Sequence, residues 1–471
     1  MLEVGCRGSG SAVLVAGGGI AGMHASLILA EAGVRVFLVD SSPTCGGLFT
    51  LLDRTFPTAS CGVCHLAVTE QAYCPMIEVS RHPLITLMTN SRVKSVQGEA
   101  GNFTVTVAQK GEYVLEALCD SCGMCEAICP VEVDVPAHTG MLPHKAIYRP
   151  GHRNLPGVFA LDESACDRCG KCVEACPRGA INLDARPYDV EIFVSAVIAC
   201  PGLGHYDPLT RREYGYGFTD NVITGLELER LISPSGPTGG MLICGSRRRI
   251  PKRIAFVQCV GSRDRAGEAP YCSVVCCMYA IKDAMRLKEL MPDAVVKIFF
   301  MDIRACGKGF EEYYERARGL GVEFVPCRVS SIEPGDEYVY IPVETDGAVS
   351  TEEFDLAVLA TGFTPPDGID ELSQALRVEK GLFGYLGRDA TGFSPVSTER
   401  EGIYVCGGGV EPQDIPTAII WSGACALYAL KDALESQPAQ GFGSMRIAGD
   451  ADADAERETD EIGRASCRER V

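Results

Sequence analysis

The chain has 471 residues, of which 46% are hydrophobic and 22% charged, a composition typical of a packed globular protein with two or three domains. Its formal net charge of −19 argues against a nucleic acid partner, because binding to a phosphate backbone needs clustered Lys and Arg. No apolar run approaches the ~20 residues of a membrane helix, and the first residues show no apolar signal segment. We therefore expect no membrane insertion and a cytoplasmic location.

The first predicted unit is a strand, a glycine turn, a helix and a second strand, in "SAVLVAGGGIAGMHASLILAEAGVRVFLVD". Gly17, Gly19 and Gly22 have the G-x-G-x-x-G spacing, in which glycines form a tight turn, admit a pyrophosphate and pack helix against strand. Asp40 ends the second strand about 20 residues on, where an acid accepts hydrogen bonds from a ribose. The unit predicts a dinucleotide whose pyrophosphate lies at the N-terminus of the first helix.

Cysteine is unusually frequent, with 24 residues, and in a reducing compartment such cysteines are metal ligands or redox groups more often than disulfides. Two segments, "CDSCGMCEAICP" and "CDRCGKCVEACP", have the C-x2-C-x2-C-x3-C-P spacing of bacterial ferredoxins. In that pattern the first three cysteines of one motif and the fourth of the other hold each [4Fe–4S] cluster. Zinc is the weaker alternative, because zinc sites usually use four ligands in two close pairs. The expected ligand sets are Cys119, Cys122, Cys125 and Cys176 for one cluster, and Cys166, Cys169, Cys172 and Cys129 for the other.

Three later segments predict strands that return to the first sheet: "EIFVSAVIACPG", "FDLAVLATGFTPP" and "EGIYVCGGGV", the last followed by a long helix. Flavin disulfide reductases close in this way, and that similarity favours FAD over NAD as the dinucleotide. Such folds usually end the last strand in Gly-Asp. Because Cys406 and two glycines stand there instead, we expect backbone groups to make this contact. Further candidates for FAD contact are Gly46, Gly47, Gly362, Gly407 and Gly408.

A second strand and helix are predicted in "RIAFVQC" and "CCMYAIKDAMRLKEL". A nicotinamide-binding domain would have a glycine-rich phosphate loop between them. This chain has only Gly261 of that pattern. The same region contains four cysteines instead: Cys259, Cys272, Cys276 and Cys277.

Several further segments are more specific than a generic flavoprotein pattern: "GGLFTLLDRTFPTASCGVCHLA", "RHPLITLMTNSRVKSVQGEAGNFTVTV", "GYGFTDNVITGLELERLISPSGPTGG", "VQCVGSRD", "YCSVVCCMYAIKDA" and "MDIRACGKGFEEYYERARGLGVEF". Together with "GGGIAGMHASL", they resemble the heterodisulfide reductase A-subunit family, whose relatives include the A subunit of the quinone-interacting membrane-bound oxidoreductase. The resemblance spans about residues 11–434. It implies an α/β, FAD-binding thioredoxin-reductase-like (Rossmann-type) fold with an inserted bacterial-type 2[4Fe–4S] ferredoxin domain. Full-length members also have an N-terminal domain and a C-terminal ferredoxin domain, so the chain is expected to be a short form without them, a truncated one, or both.

The expected FAD-binding domain comprises residues 11–115, 186–252 and 356–434, with the ferredoxin insert at 116–185. A second thioredoxin-reductase-like subdomain with the cysteine-rich motif is expected at 253–355. Residues 435–471 are expected to be a disordered acidic linker, because "GDADADAERETDE" is acidic and poor in apolar residues. The final "EIGRASCRERV" resembles a translated sequencing adapter and is expected to be non-native.

The resemblance also implies a third iron–sulfur cluster near the flavin. Its available ligands are Cys61, Cys64, Cys259, Cys272, Cys276 and Cys277, of which the adjacent Cys276 and Cys277 point in different directions on a helix. The alternative is that these are buried free thiols, which pack as small hydrophobic groups. Arg304 and Lys308 are candidates for positive charge near the flavin, with a solvated loop as the alternative.

The family implies an electron-transfer flavoprotein subunit that works with other subunits of a heterodisulfide-reductase-like or quinone-interacting complex, with ferredoxin as a further partner and a homodimer as an option. In such complexes this flavoprotein is where electron bifurcation is placed. A stand-alone NAD(P)H-dependent flavin disulfide reductase is the alternative, but it needs a second glycine fingerprint that this sequence lacks. An iron–sulfur assembly scaffold without flavin would leave the N-terminal fingerprint unexplained.

Overall fold

The structure is a computed structural model that describes residues 11–57, 74–139, 143–151, 154–245, 248–264, 267, 269–345, 347–389, 394–436 and 444–447. Its helices are α1 (Ile20–Glu31), α2 (Pro75–Arg81), α3 (Met124–Ile128), α4 (Lys171–Ala175), α5 (Gly225–Ile232), α6 (Cys276–Leu290), α7 (Phe310–Gly319), α8 (Ile369–Leu376) and α9 (Ile415–Glu435). Two short 3-10 helices, Gly47–Leu51 and Gly407–Gly409, matter for the site.

The strands are β1 (Ala12–Ala16), β2 (Arg35–Val39), β3 (Ile85–Met88), β4 (Ser91–Glu99), β5 (Asn102–Gln109), β6 (Glu132–Val133), β7 (His144–Lys145), β8 (Ile147–Tyr148), β9 (Ala160–Leu161), β10 (Tyr188–Val194), β11 (Ala196–Ala199), β12 (Gly204–His205), β13 (Val222–Thr224), β14 (Arg253–Val260), β15 (Val295–Phe300), β16 (Val322–Pro326), β17 (Glu333–Pro334), β18 (Val339–Thr345), β19 (Ala348–Phe354), β20 (Leu356–Thr361), β21 (Phe363–Thr364), β22 (Ile403–Val405) and β23 (Met445–Ile447).

The first unit is built on a parallel sheet in the order β22-β11-β1-β2-β3. Strand β1 is apolar and buried at every position, as expected for a strand of a parallel sheet that is covered on both faces. Val13 and Val15 face the core formed with α1, α2 and α9, whereas Ala12 and Leu14 face a second core beneath the antiparallel sheet β23-β10-β5-β4. The alternation follows from the two-residue period of a strand.

The second unit repeats this three-layer plan. Its parallel sheet has the order β13-β20-β14-β15-β16, with α5, α6 and α7 packed on one face and the small sheet β17-β18-β19 on the other. Two chain connections join the units, and they pair with each other as the short antiparallel ladder of β12 with β21. The carboxyl ends of both parallel sheets are the natural places for ligands in folds of this kind.

The cysteine-rich insert lies between β5 and β10, two neighbouring strands of the antiparallel layer of the first unit. It contains α3 and α4 and the small ladders β6-β7 and β8-β9. Its own small core includes Val114, Ile147, Phe159 and Ile181, together with buried motif cysteines. The predicted fold class, with an insert interrupting the first unit, is confirmed.

Two of the expected domain boundaries are wrong. Strand β20, which we expected to return to the first sheet, pairs with β13 and β14 in the second sheet. β13 and α5 also belong to the second unit, although residues 186–252 were expected to continue the first. Central strands of both sheets are buried on both faces and have the same apolar pattern, so the pattern alone does not distinguish the two sheets.

The expectation of disorder from residue 435 onward is also wrong in part. Residues 445–447 form β23, which pairs antiparallel with β10 from Val190↔Ile447 to Ile192↔Met445. The edge of β10 offers unpaired backbone groups, and a short apolar-polar-apolar segment can satisfy them. The segment "EIGRASCRERV" lies outside the described residues. No helix in the described ranges has both the length and the hydropathy needed to cross a bilayer.

Candidate functional site

The glycine fingerprint, residues 17–22, lies at the carboxyl end of β1, and we call it the flavin turn. A Cβ on Gly17 would lie 2.0 Å from the Cys200 carbonyl oxygen, and one on Gly22 would lie 1.8 Å from the Gly17 carbonyl oxygen. The close packing of strand, turn and helix therefore needs both glycines whether or not a ligand is bound. Gly19 differs, because a Cβ there would meet none of the described residues within 4 Å. This open side of the turn is where a pyrophosphate can approach backbone N–H groups at the start of α1.

Asp40 follows β2 and braces the flavin turn. One of its carboxylate oxygens accepts the Gly18 N–H at 2.6 Å, and the other accepts the Ser42 N–H at 2.7 Å. Burial raises the pKa of Asp40, and these backbone hydrogen bonds oppose that rise. Each oxygen keeps a further lone pair for a ribose hydroxyl, so the position fits the predicted role.

Two further glycine segments lie beside the flavin turn. The Gly46 N–H donates to the Gly18 carbonyl at 2.7 Å, and a Cβ on Gly47 would lie 3.3 Å from the Gly19 Cα. On the other side, a Cβ on Gly407 would lie 3.2 Å from the Ala21 Cβ. Three of the predicted glycines are thus brought to the carboxyl edge of the first sheet.

Gly408 and Gly362 have different surroundings. Gly408 belongs to the same 3-10 turn as Gly407, and a Cβ there would lie 2.3 Å from the Leu203 side chain, so packing alone explains this glycine. Gly362 follows β20, and a Cβ on it would lie 2.8 Å from the Gly261 carbonyl oxygen and 2.8 Å from the Ser273 Oγ. Gly362 therefore lies in the second unit and not at the flavin turn, and its predicted contact with FAD stays a prediction.

Gln413 is a candidate site residue that the sequence does not reveal. It directly precedes Asp414, which caps α9 by accepting the Thr417 N–H at 2.8 Å. Gln413 is only 9% exposed, and among the described residues neither its Oε1 nor its Nε2 has a hydrogen-bond partner. An unpaired buried amide costs roughly 1–3 kcal/mol per group, so this carboxamide is suited to a bound polar group at the carboxyl edge of the first sheet. A lone Gln in a loop carries no sequence signal of such a role.

The two ferredoxin motifs adopt matching backbone conformations. Gly123 and Gly170, which precede α3 and α4, both have positive φ angles, +84° and +77°. Ser121 and Arg168, at equivalent positions in the two motifs, also have positive φ, +60° and +54°. Each motif therefore makes the same tight turn between its first and third cysteines. The backbone of the two motifs is thus equivalent.

One pocket brings together four cysteines of the two motifs. It is lined by Cys119, Cys122 and Cys125 from the first motif and by Cys176 from the second. Burial, with a smaller contribution from the neighbouring Cys119 and Cys122, raises the pKa of Cys125 to about 12. Since cluster ligands must be thiolates, binding of a cluster there would release protons.

Cluster ligation also differs in geometry from ligation of a single ion. Within the described residues, no three His, Cys, Asp or Glu side chains are placed to hold one metal ion together. In a [4Fe–4S] cluster the four thiolates bond to separate irons, so they need not meet at one point. The N–H groups of Arg168 and Ala180 donate to Cys166 Sγ and Cys176 Sγ at 3.4 Å and 3.3 Å, and such bonds tune cluster sulfurs.

The other cysteine group lies where the second unit would bind a nicotinamide cofactor. Cys259 lies near the end of β14, Cys272 lies in the following loop, and Cys276 and Cys277 begin α6. Burial, with a smaller contribution from the neighbouring Cys259 and Cys272, raises the pKa of Cys277 to about 11. The pKa of Cys276 is raised for the same reasons, with Cys277 as an added neighbour. These four residues are therefore close in space, and we call them the thiol cluster.

The backbone of this loop is strained. Cys259 and Val274 have positive φ angles of +63° and +62°, which are uncommon for any residue with a side chain and outlying for a β-branched one. Such strain persists only where the surroundings enforce it, and it is concentrated at functional sites. The Val274 N–H donates to Cys272 Sγ at 3.3 Å, so the strained turn also orients a thiol.

Gly261 of this loop is covered. A Cβ there would lie 2.2 Å from the Tyr206 ring, so the aromatic side chain packs directly on the glycine. The helix begins only at Cys276, so a long loop of fifteen residues separates it in sequence from the end of β14. A phosphate loop instead brings a glycine turn and a helix N-terminus together around the pyrophosphate.

Comparison with known proteins agrees with this geometry. A family model for the 4Fe-4S dicluster domain matches residues 118–181, and one for FAD dependent oxidoreductases matches residues 12–59. An iron-sulfur A subunit (number 2) of the CoB–CoM heterodisulfide reductase of Methanopyrus kandleri is 44% identical over 421 residues, which are 88% of this chain and 63% of that protein. Over nearly nine tenths of its length the chain is thus similar to an A subunit of a heterodisulfide reductase.

Another relative is also an A subunit of a heterodisulfide reductase. The A subunit of the H(2):CoB-CoM heterodisulfide,ferredoxin reductase of Methanothermobacter marburgensis is 39% identical over 433 residues, covering 90% of this chain and 65% of that protein. The chain thus spans a little under two thirds of the length of these curated relatives. A similar solved structure is the thioredoxin reductase of T. acidophilum, with a TM-score of 0.46, 14% identity, and coverage of 90% of this chain and 98% of that chain.

Two of the remaining predicted site residues lie in the described part of the chain, and two do not. Arg304 and Lys308 lie between β15 and α7 of the second unit, and Arg304 lies 3.7 Å from the Asp302 carboxylate. Both side chains are exposed, as the solvated-loop alternative expects, and a position near the flavin stays a prediction. Cys61 and Cys64 lie outside the described residues.

The contrast between Gly19 and Gly22 generates a matched test of the flavin turn. Gly19→Val should fold normally, because the added side chain meets open space and the backbone there is extended, but it should lose FAD. Gly22→Val should lower the free energy of unfolding by at least about 2 kcal/mol, because it drives the turn away from α1. Thermal unfolding and the FAD-to-protein ratio would be measured on both variants. Full FAD retention in folded Gly19→Val would place the flavin elsewhere.

Proposed function

We propose that this chain is the FAD- and iron–sulfur-containing electron-transfer subunit of a heterodisulfide-reductase-like complex. The observation that carries the proposal is the position of the dicluster insert. It interrupts the antiparallel layer that covers the FAD-type sheet, entering after β5 and leaving before β10. The motifs for one-electron carriers therefore interrupt the same unit that contains the flavin turn, which supports the proposal.

The chain's own residues fit a flavin at the carboxyl edge of the first sheet. Gly19 would admit the pyrophosphate at its open side, and Asp40, which holds the turn, would accept a hydrogen bond from the ribose. Gln413 would offer a carboxamide that is unpaired among the described residues. The N-terminus of α9 supplies a positive partial charge on the same edge. FAD exchanges electrons in pairs and a [4Fe–4S] cluster exchanges them singly, so the combination links two-electron and one-electron chemistry.

The ligand assignment for the insert follows the ferredoxin rule. Cys119, Cys122, Cys125 and Cys176 would hold one cluster, which the shared pocket supports. Cys166, Cys169, Cys172 and Cys129 would hold the other by the symmetry of the two motifs. The thiol cluster of Cys259, Cys272, Cys276 and Cys277 would contribute to a third iron–sulfur cluster, with Cys61 and Cys64 as further ligands. The mutual proximity and the strained turn support this third site.

The proposed partners are other subunits of the complex and a ferredoxin, in the cytoplasm. The named relatives support this, since one is the A subunit of a heterodisulfide,ferredoxin reductase and another, from Methanosarcina acetivorans, is the A subunit of a Ferredoxin/F(420)H(2)-dependent CoB-CoM heterodisulfide reductase. The role of this chain is then to hold the carriers at fixed spacing and to exclude water from them. Bifurcation of electrons at the flavin is the further step that the family suggests for this site.

The dicluster assignment predicts that mutation of a motif cysteine lowers the iron content and leaves FAD bound. Anaerobically purified wild-type protein should contain about eight iron atoms for the insert, or about twelve with the third cluster. Cys119→Ser should remove about four of these while FAD stays bound, because the flavin turn joins β1 to α1 outside the insert. Cys306→Ser is the control, since Cys306 is exposed and belongs to neither motif. Zinc in place of iron and acid-labile sulfide would refute the assignment.

Because Gly261 is covered by Tyr206, we expect that pyridine nucleotides do not reduce the flavin. NADH or NADPH should leave the flavin absorbance unchanged on the stopped-flow timescale, because Tyr206 packs over the glycine that a phosphate loop would need. Reduced ferredoxin should bleach the flavin, and Cys272→Ser should slow this bleaching relative to the buried-thiol control Cys327→Ser. Rapid bleaching by NADPH that is unaffected in Cys272→Ser would favour the stand-alone disulfide reductase instead.

A further inference from the structure

Residues 51–57 form a strap that leaves the first unit and packs on the second. The strap continues directly from the 3-10 helix Gly47–Leu51, which contacts α5. Its Phe56 ring lies 5.5 Å from the Phe310 ring in an edge-on arrangement and packs against the core of the second unit. The strap thereby joins the flavin turn of one unit to the helical layer of the other.

The backbone of the strap is held by two buried charged side chains. The Asp53 N–H donates to Glu229 Oε1 at 2.6 Å, and the Arg54 N–H donates to the same oxygen at 3.4 Å. Lys282 Nζ donates to the Arg54 carbonyl oxygen at 3.1 Å. Charged side chains therefore bind two N–H groups and one carbonyl group of the strap backbone. Hydrogen bonds to charged groups are stronger than those between neutral groups.

The two charged side chains also pair with each other. Glu229 lies on α5 and Lys282 on α6, their side chains are only 2% and 6% exposed, and Lys282 Nζ donates to Glu229 Oε2. Asp283, 1% exposed, lies 3.2 Å from the same ammonium group. Charged residues are almost never fully buried unless they are paired, and a buried pair is weak evidence for stability. Such a pair calls for a reason other than stability, and the strap backbone provides one.

The Glu229–Lys282 pair lies between the flavin turn and the thiol cluster along the chain segments that contact it. Upstream of the strap, Gly46 and Gly47 contact the flavin turn at Gly18 and Gly19. Along α6, Lys282 follows the two cysteines that begin the helix by less than two helical turns. The strap therefore connects the flavin turn to α5 and α6. Helix α6 in turn leads to the thiol cluster at its N-terminal end.

We propose that Glu229 and Lys282 are positioning residues that fix the spacing between the flavin turn and the thiol cluster of the second unit. The pair holds the strap on α5 and α6, so the flavin turn and the N-terminal end of α6 move as one body. The consequence for electron transfer rests on the proposed function, whereas the mechanical role does not. Loss of the pair should free the strap without removing either cofactor site.

The decisive variant removes the three buried ionisable side chains at once. Glu229→Leu, Lys282→Met and Asp283→Asn are combined, since replacing a buried ion pair by apolar groups of similar size is often neutral for stability. We expect a normal thermal midpoint, wild-type FAD and iron content, and amide hydrogen exchange in residues 51–57 that is at least about tenfold faster. Flavin bleaching by reduced ferredoxin should be slower. Unchanged exchange in residues 51–57 would overturn the proposal.

Three single variants keep the test decisive if the combined variant does not fold. Glu229→Gln retains a carbonyl oxygen for the Asp53 N–H and should keep exchange within about twofold of wild type, whereas Lys282→Met loses the donor to the Arg54 carbonyl and should speed it. Lys297→Met is the matched control, because Lys297 pairs with Glu352 at 2.7 Å in the same unit away from the strap. Equal exchange in Lys282→Met and Lys297→Met would contradict the proposal.

The exchange measurement needs neither flavin nor iron. Protein that lacks FAD or clusters would count against the proposed function, and the exchange of residues 51–57 would still decide the role of the pair. Protein that keeps both cofactors, with faster exchange and unchanged bleaching, would confirm the mechanical role. That result would also refute its consequence for electron transfer.

Discussion

Two parallel sheets, each covered on both faces, are the constraint on which the rest of this structure depends. With helices on one face and an antiparallel layer on the other, only the strand ends remain accessible to a ligand in the part of the chain that the structure describes. The flavin turn occupies the carboxyl edge of the first sheet, and the thiol cluster occupies the carboxyl edge of β14 in the second. The same architectural plan therefore fits a dinucleotide in one unit and cysteines in the other.

The insert and the strap follow from this plan. Because the parallel sheets are covered on both faces, the insert enters through the antiparallel layer, between β5 and β10. The strap crosses between units beside α5 and α6, where a buried carboxylate and ammonium satisfy its backbone. The chain thus distributes its candidate carrier sites over two units and supplies a specific contact that fixes the units relative to each other.

The fingerprint and the ferredoxin motifs could be predicted from sequence because their spacing is local. Gly17, Gly22 and the motif cysteines lie within short turns whose geometry depends on immediate neighbours. Strand β20 could not be assigned correctly, because a strand buried on both faces looks the same in either sheet, and pairing is decided by distant segments. Gln413, Glu229 and Lys282 could not be found, since a polar residue in a loop or on a helix is usually solvated, and only tertiary packing buries these three.

The central claim is that one chain combines a two-electron carrier with several one-electron carriers. Anaerobic coulometric titration of the purified protein, followed by optical and electron paramagnetic resonance spectra, tests this most directly. The account predicts uptake of about five electrons per chain, two by the flavin and one by each of three clusters. Uptake of about four electrons would contradict only the proposed third cluster. Uptake of about two, without a cluster signal, would contradict the account.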